Sequence, residues 1–185
     1  MLKDTDKQHL LSLARESIRH GLDYGKPLAI NSHDFSEALQ AQRASFVTLH
    51  KNGQLRGCIG SLEARQPLVS NVVSNAFNAA FRDPRFPPLS SNEFEQIHIH
   101  IEILSTPEPM TFASQADLIS QLRPGVDGLV LSDGAHRGTF LPTVWGQLPT
   151  PEVFLQHLKN KAGLPVDHWS DTLVVERYDT ESFEE

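Results

Sequence analysis

The chain has one thiol, Cys58, and it lies two residues from a guanidinium in Leu55-Arg56-Gly57-Cys58-Ile59-Gly60. The stretch follows Asn52-Gly53, with Phe46-Val47-Thr48-Leu49 on the other side of that dipeptide. Asn-Gly supplies the two positive φ angles of a tight hairpin turn, so strands are expected near 44–50 and 54–59. Strand alternation then sends Leu55, Gly57 and Ile59 one way and Arg56, Cys58 and Gly60 the other. Leu55 and Ile59 mark the core side. Arg56 would lie roughly 6–7 Å from Cys58 along the backbone, close enough to favour a thiolate if the side chains converge. Two readings stand together. Cys58 is a nucleophile or ligand in a shallow polar pocket, or it is a small residue packed under the next helix, as free cysteines often are.

Other groups can bind ligands. Arg56 and Arg137 each precede a glycine after a turn, and a guanidinium there can grip a carboxylate or phosphate with two N–H groups. The alternative is a salt bridge, for Arg56 to Asp83 or Glu63. Asp83 and Arg85, in Arg82-Asp83-Pro84-Arg85-Phe86-Pro87-Pro88, belong either to a stiff recognition loop or to a corner in which Asp83 caps neighbouring N–H groups. His98, His100 and Glu102 share one strand face. They lack an evident fourth ligand, so a polar packed face is the expectation and no metal site is assigned. No phosphate loop, dinucleotide glycine pattern, Gly-x-Ser-x-Gly elbow or paired-cysteine motif occurs, and no cofactor is assigned.

The elements that would carry these residues follow from periodicity and punctuation. Thr5–His20 is amphipathic, with Gly21 as its stop. A short helix is expected within 35–42. Pro67 opens a helix to about Arg82, ended by Asp83-Pro84. Isoleucines at 97, 99, 101 and 103 mark a strand. Ser114 caps a helix to Leu122, and a second hairpin turns at Asp133-Gly134. Pro151 opens a helix that Gly163 ends, and Thr172–Tyr178 is a last strand. The acidic tail from Asp179 is expected to be partly mobile.

Asn52-Gly53-x-x-Arg56-Gly57 parallels Asp133-Gly134-x-x-Arg137-Gly138. Each hairpin is followed by a proline-opened helix and a strand. This predicts an α+β fold of two β-β-α-β units, near 44–104 and 126–178, around one largely antiparallel sheet.

A chain of 185 residues with one cysteine and formal net charge −7 holds a core without disulfides. Its N-terminus lacks an apolar signal core and no run is long enough for a membrane span, so a cytoplasmic protein is expected. The acidic balance disfavours nucleic acid as a partner; an RNA-binding module would need a local basic groove.

The hairpin segments, together with Asp83-Pro84-Arg85-Phe86, Gly128-Leu129, Arg137-Gly138, Leu141-Pro142 and Lys161-Ala162-Gly163-Leu164, resemble the AMMECR-type family, also called AmmeMemoRadiSam system protein A. The resemblance covers nearly the whole chain and implies a single domain over 1–185 with a duplicated, curved, barrel-like sheet and flanking helices. It also implies association with a Memo-type protein and a radical SAM protein in a modification pathway. Two functions follow: an accessory binding component, or an enzyme subunit with Cys58 as nucleophile or ligand. Many family members carry a second cysteine just before the Lys-Ala-Gly-Leu segment, where this chain has Leu158-Lys159-Asn160, which argues against a two-thiol mechanism.

Overall fold

In a computed structural model describing Met1–Glu185, the turn residues behave as their chemistry requires. Asn52 and Gly53 both take positive φ, 52° and 75°, joining β1 (Ser45–Lys51) to β2 (Gln54–Gly60). β3 (Ile97–Leu104) pairs antiparallel with the other side of β1, and β8 (Thr180–Glu184) completes a four-stranded sheet in the order β2-β1-β3-β8. The alternating isoleucines of β3 join Val47, Leu49 and the apolar stripes of α1 (Asp4–Tyr24) and α3 (Leu68–Phe81) in one core. A short helix α2 (Glu37–Gln40) and α4 (Ser91–Phe94) flank it.

The second sheet has the order β4-β7-β5-β6, from β4 (Glu108–Pro109), β5 (Gly128–Asp133), β6 (His136–Phe140) and β7 (Val174–Tyr178). Its core takes Leu118 from α5 (Gln115–Gln121) and Phe154, Leu155 and Leu158 from α6 (Pro151–Lys161). Trp145 stacks on Phe154 at 3.8 Å between ring centroids. The chain divides into two compact units, 1–104 with 181–185, and 105–180.

The α+β class holds, but the expectation of one sheet does not: the two hairpins lie in separate four-stranded sheets. The strand orders match nonetheless, each reading returning hairpin strand, leading hairpin strand, post-helix strand, then a fourth. The cause of the miss lies in the fourth strands. β4 is two residues long and β8 comes from the acidic tail, and neither carries an apolar alternation. That tail is a paired strand, tied by Glu181 to Lys7 at 3.1 Å and by Glu185 to Arg15.

Gly21 does not stop α1. The helix continues to Tyr24, and Gly25 at φ 69° accepts the terminating left-handed conformation. Gly21 instead lets α1 approach α3: a Cβ there would meet the Phe81 ring at 2.3 Å.

Candidate functional site

The alternation expected for β2 is broken by a bulge. His50 faces Leu55 and Leu49 faces Gly57, so Arg56 has no residue opposite it. The second hairpin has none: Ser132 faces Arg137 and Leu131 faces Gly138. Its two-residue turn is Gly134-Ala135, whereas the first turn is Asn52-Gly53, so the first hairpin holds one more residue between its matching leucine and glycine. Arg56 is that residue. Its consequences correct the sequence expectation. Leu55 is 42 % exposed and Arg56 only 8 %, while Arg137 stays exposed on its strand.

Both glycines seat a helix. A Cβ on Gly57 would lie 2.1 Å from the Ala79 carbonyl oxygen of α3, and one on Gly138 would lie 2.8 Å from the Ala162 nitrogen at the end of α6. The core face of β2 is therefore Gly57 and Ile59, and Cys58 turns to the opposite face.

Arg56 is structural. Its Nε and Nη2 donate to the two Glu93 carboxylate oxygens at 2.9 and 3.0 Å, and Nη2 also donates to the Pro87 carbonyl at 3.0 Å. Its partner is thus neither Asp83 nor Glu63. Glu93 also accepts from Lys51 Nζ at 3.1 Å and closes a capping box with Ser90. Arg56 first, then the Ser90 and Lys51 donors, hold the Glu93 carboxyl far below the usual carboxylate range against the opposing effect of burial. Phe86 lies against the guanidinium, 5.8 Å from ring centroid to Cζ.

The Asp83-Pro84-Arg85 corner closes over Cys58. Thr48 and Cys58 are opposite residues, and the backbone N–H and C=O of Cys58 point outward from the sheet edge. Asp83, buried at 4 % exposure, accepts the Cys58 N–H at 2.9 Å. Arg85 Nη2 donates to the Cys58 carbonyl at 3.2 Å. Asp83 also accepts Arg85 N–H, Nε and Nη2 at 3.0, 3.0 and 2.7 Å. An acid and a base thus stand in for the next strand of the sheet. Arg85 is the main cause that holds Asp83 far below the carboxylate range. Asp83 in turn raises the Arg85 guanidinium, with a smaller contribution from Cys58.

The thiol itself is half-buried. Thr48 Oγ1 donates to Sγ at 3.1 Å. The cation beside it is Arg85, with its side chain 54 % exposed, rather than Arg56. On the same sheet face β3 places His100 opposite Thr48, His98 opposite His50 and Glu102 opposite Phe46. Both imidazoles stand 3.6 Å from Glu184 Oε2. Glu102 is 6 % exposed, and burial pushes its carboxyl up against the lowering effect of His100. His98, His100 and Glu102 form no group of three arranged around a metal position.

Cys58, Asp83 and Arg85 therefore come together, with Arg56 behind Phe86. Arg137 belongs to the second unit, on β6. Two partners escaped the sequence. Thr48 is opposite Gly57 when residues are counted back from the turn, and only the bulge moves it opposite Cys58. Glu93 was visible as the fourth residue of Ser90-x-x-Glu93, a helix-start pattern. A buried cluster of Ser45, Asn71 and Asn75 was also missed; Ser45 Oγ donates to Asn71 Oδ1 at 2.5 Å, and Asn75 Nδ2 donates to the Ser45 carbonyl at 3.0 Å.

Comparison with known proteins agrees with this architecture. An uncharacterized protein, PH0010, from Pyrococcus horikoshii has a solved structure that superposes with a TM-score of 0.88 at 32 % identity, covering 100 % of this chain and 93 % of that one. A Methanothermobacter thermautotrophicus protein is 41 % identical over 165 residues, 88 % of this chain and 84 % of its own length. One from Thermotoga maritima is 38 % identical over 168 residues, 90 % and 91 % of the two chains. The fold is thus a mixed α+β class shared with archaeal and bacterial proteins. The AMMECR1 family model matches residues 11–183, and the chain belongs to that family.

Proposed function

We propose that this protein is an accessory binding component, AmmeMemoRadiSam system protein A in kind, which acts in the cytoplasm beside a Memo-type protein and a radical SAM protein. Cys58 and the outer side of Arg85 contact the ligand. The observation that carries this reading is how the charged groups are spent. Arg56 gives Nε and Nη2 to Glu93 and Pro87 and keeps only a buried, unpaired Nη1, Asp83 is taken by Cys58 and Arg85, and the thiol is hydrogen-bonded to a hydroxyl rather than to an imidazole or carboxylate that could take its proton. Such a site is rigid and lacks the nucleophile–base pair of covalent catalysis. The matching strand orders support descent from one duplicated β-β-α-β unit within a single functional domain.

The enzyme reading keeps one specific support: the Arg85 guanidinium is held at Cys58 through its carbonyl, and Thr48 Oγ1 donates to the sulfur. Incubation of the purified protein with a cell metabolite extract, followed by native mass spectrometry and untargeted analysis of the supernatant, separates the two. The binding reading expects a retained mass that is lost in Cys58→Ser and Arg85→Ala, with no metabolite consumed. Depletion of a metabolite by wild type, abolished in Cys58→Ser, would replace it with the enzyme reading.

A further inference from the structure

The second unit contains a polar cavity of about 500 Å³, away from the thiol in sequence and in element. That is within the size range of small-molecule sites. Its chemistry is set by Asp127, which is fully buried. Asp127 Oδ1 accepts Arg123 Nε and Nη2 at 2.8 and 2.6 Å, and Oδ2 accepts the Arg123 N–H at 2.8 Å. Arg177 Nη1 reaches from β7 to 3.9 Å from Asp127 Oδ2 and 3.5 Å from the Gln121 carbonyl. The Asp127 carbonyl is fixed by Trp145 Nε1 at 2.7 Å. One buried carboxylate therefore orients two guanidiniums whose side chains are 54 % and 36 % exposed and which line the cavity.

The opposite charge is also present. Glu108 stands directly across from Arg177 in the β4–β7 pair and Asp179 follows β7, and both line the same cavity. Asp179 acts on Arg123 electrostatically, after Asp127. No ion pair joins Glu108 to Arg177. Ser105 and Asp179 are tied together by Ser105 N–H to the Asp179 carbonyl at 2.9 Å and Asp179 N–H to Ser105 Oγ at 3.0 Å, which fixes the acidic side relative to the basic one. Two guanidiniums against Asp127, Glu108 and Asp179 leave the surroundings at −1, so a plain anion gains little. A ligand carrying both signs satisfies both sides.

We propose that this cavity binds a small zwitterion, an α-amino acid or short peptide. Its carboxylate lies on the Arg123 and Arg177 guanidiniums, and its ammonium faces Glu108 and Asp179. Guanidinium–carboxylate contacts of this kind are among the stronger polar contacts available.

The test uses the full chain, ¹⁵N-labelled and titrated with L-leucine or glycyl-L-leucine and, in parallel, with N-acetyl-L-leucine and L-leucinamide, which each lack one charge. Saturable shifts are expected at the Arg123 and Arg177 Nε–H and at the Ser105 and Thr106 amides. Each capped analogue should bind at least about tenfold more weakly, the effect of losing one hydrogen-bonded charge. Arg177→Gln and Asp179→Asn, checked for folding by circular dichroism, should each weaken the zwitterion to a similar degree. Binding of either capped analogue as tight as its parent overturns the proposal, as does the absence of shifts at these residues at millimolar probe.

Discussion

The Cys58 amide donates to the Asp83 carboxylate at 2.9 Å, and through that contact a loop replaces a strand at the edge of the first sheet. Cys58 is therefore fixed by its backbone on one side and by Thr48 through its sulfur on another. The position of the thiol depends on an acid that is twenty-five residues away in sequence.

Removal of that acid should loosen the edge. Asp83→Ala leaves the Cys58 N–H without its acceptor and Arg85 without its main partner. A loss of about 2–3 kcal/mol in urea-denaturation free energy is expected, with Asp83→Asn losing less because it keeps one acceptor. A change within experimental scatter would show that the corner is dispensable.

The bulge makes a separate demand. Arg56→Lys should not restore what Arg56→Ala removes, because an ammonium cannot grip both Glu93 oxygens and the Pro87 carbonyl in one plane. Both variants should unfold at lower temperature than wild type, with Arg56→Ala costing about 3 kcal/mol or more as a broken buried ion pair. Equal melting of Arg56→Lys and wild type would refute the bidentate requirement.

Gly57→Ala should be among the most damaging single substitutions. The added Cβ meets a backbone carbonyl at 2.1 Å, which no rotamer change relieves. Gly138→Ala meets its helix at 2.8 Å and should cost less. Soluble yield and thermal melting of the two variants should rank in that order, with Gly57→Ala losing more than about 3 kcal/mol.

Acid should unfold the protein in a defined direction. Asp83 and Glu93 both have folded-state pKa values below their unfolded values, and Asp133 is lowered to about 2 by the Ser170, Thr172 and His168 donors, in that order. For depressed carboxylates the unfolded chain binds protons first. Their contribution is thus present above an unfolded pKa of about 4 and is lost as pH falls through the folded values. Denaturation free energy should therefore fall from about pH 5 downward, and Glu93→Gln should flatten that slope. An unchanged slope in Glu93→Gln would assign the acid sensitivity elsewhere.

The half-buried thiol should alkylate in the folded state. Arg85→Ala, which removes the side chain held on the Cys58 carbonyl, and Thr48→Val, which removes the hydroxyl on the sulfur, should each change the rate of reaction with iodoacetamide at neutral pH. Inertness until denaturant is added would mark Cys58 as packing alone.

Much of this architecture was legible because local chemistry decided it. Asn52-Gly53 named its own turn, Pro67 and Pro151 marked helix starts, and the isoleucines of β3 named their own face. The candidate site was legible only in its parts. Cys58, Asp83 and Arg85 were visible as residues, but which cation stood beside the thiol depended on the bulge. Strand alternation carries no information about a bulge, and the only hint was Gly57, whose missing side chain is required by α3. The tail was misread for a similar reason. β8 is held by Lys7, Arg15 and two histidines of β3, partners dispersed along the chain. A rule that reads acidic ends as mobile cannot see them.

β8 gives the polypeptide a host-and-guest order. Residues 105–180 are spliced into a unit that resumes at Glu181. The guest enters at Ser105 and leaves at Thr180, and Ser105 is stapled to Asp179, the residue before the exit, by two hydrogen bonds. Closing the host sheet then costs chain entropy for a short stem rather than for the whole insert. A gene design that joins Leu104 to Glu181 through a few glycines, or that expresses 105–180 alone, cuts the chain where the fold has already brought two ends together.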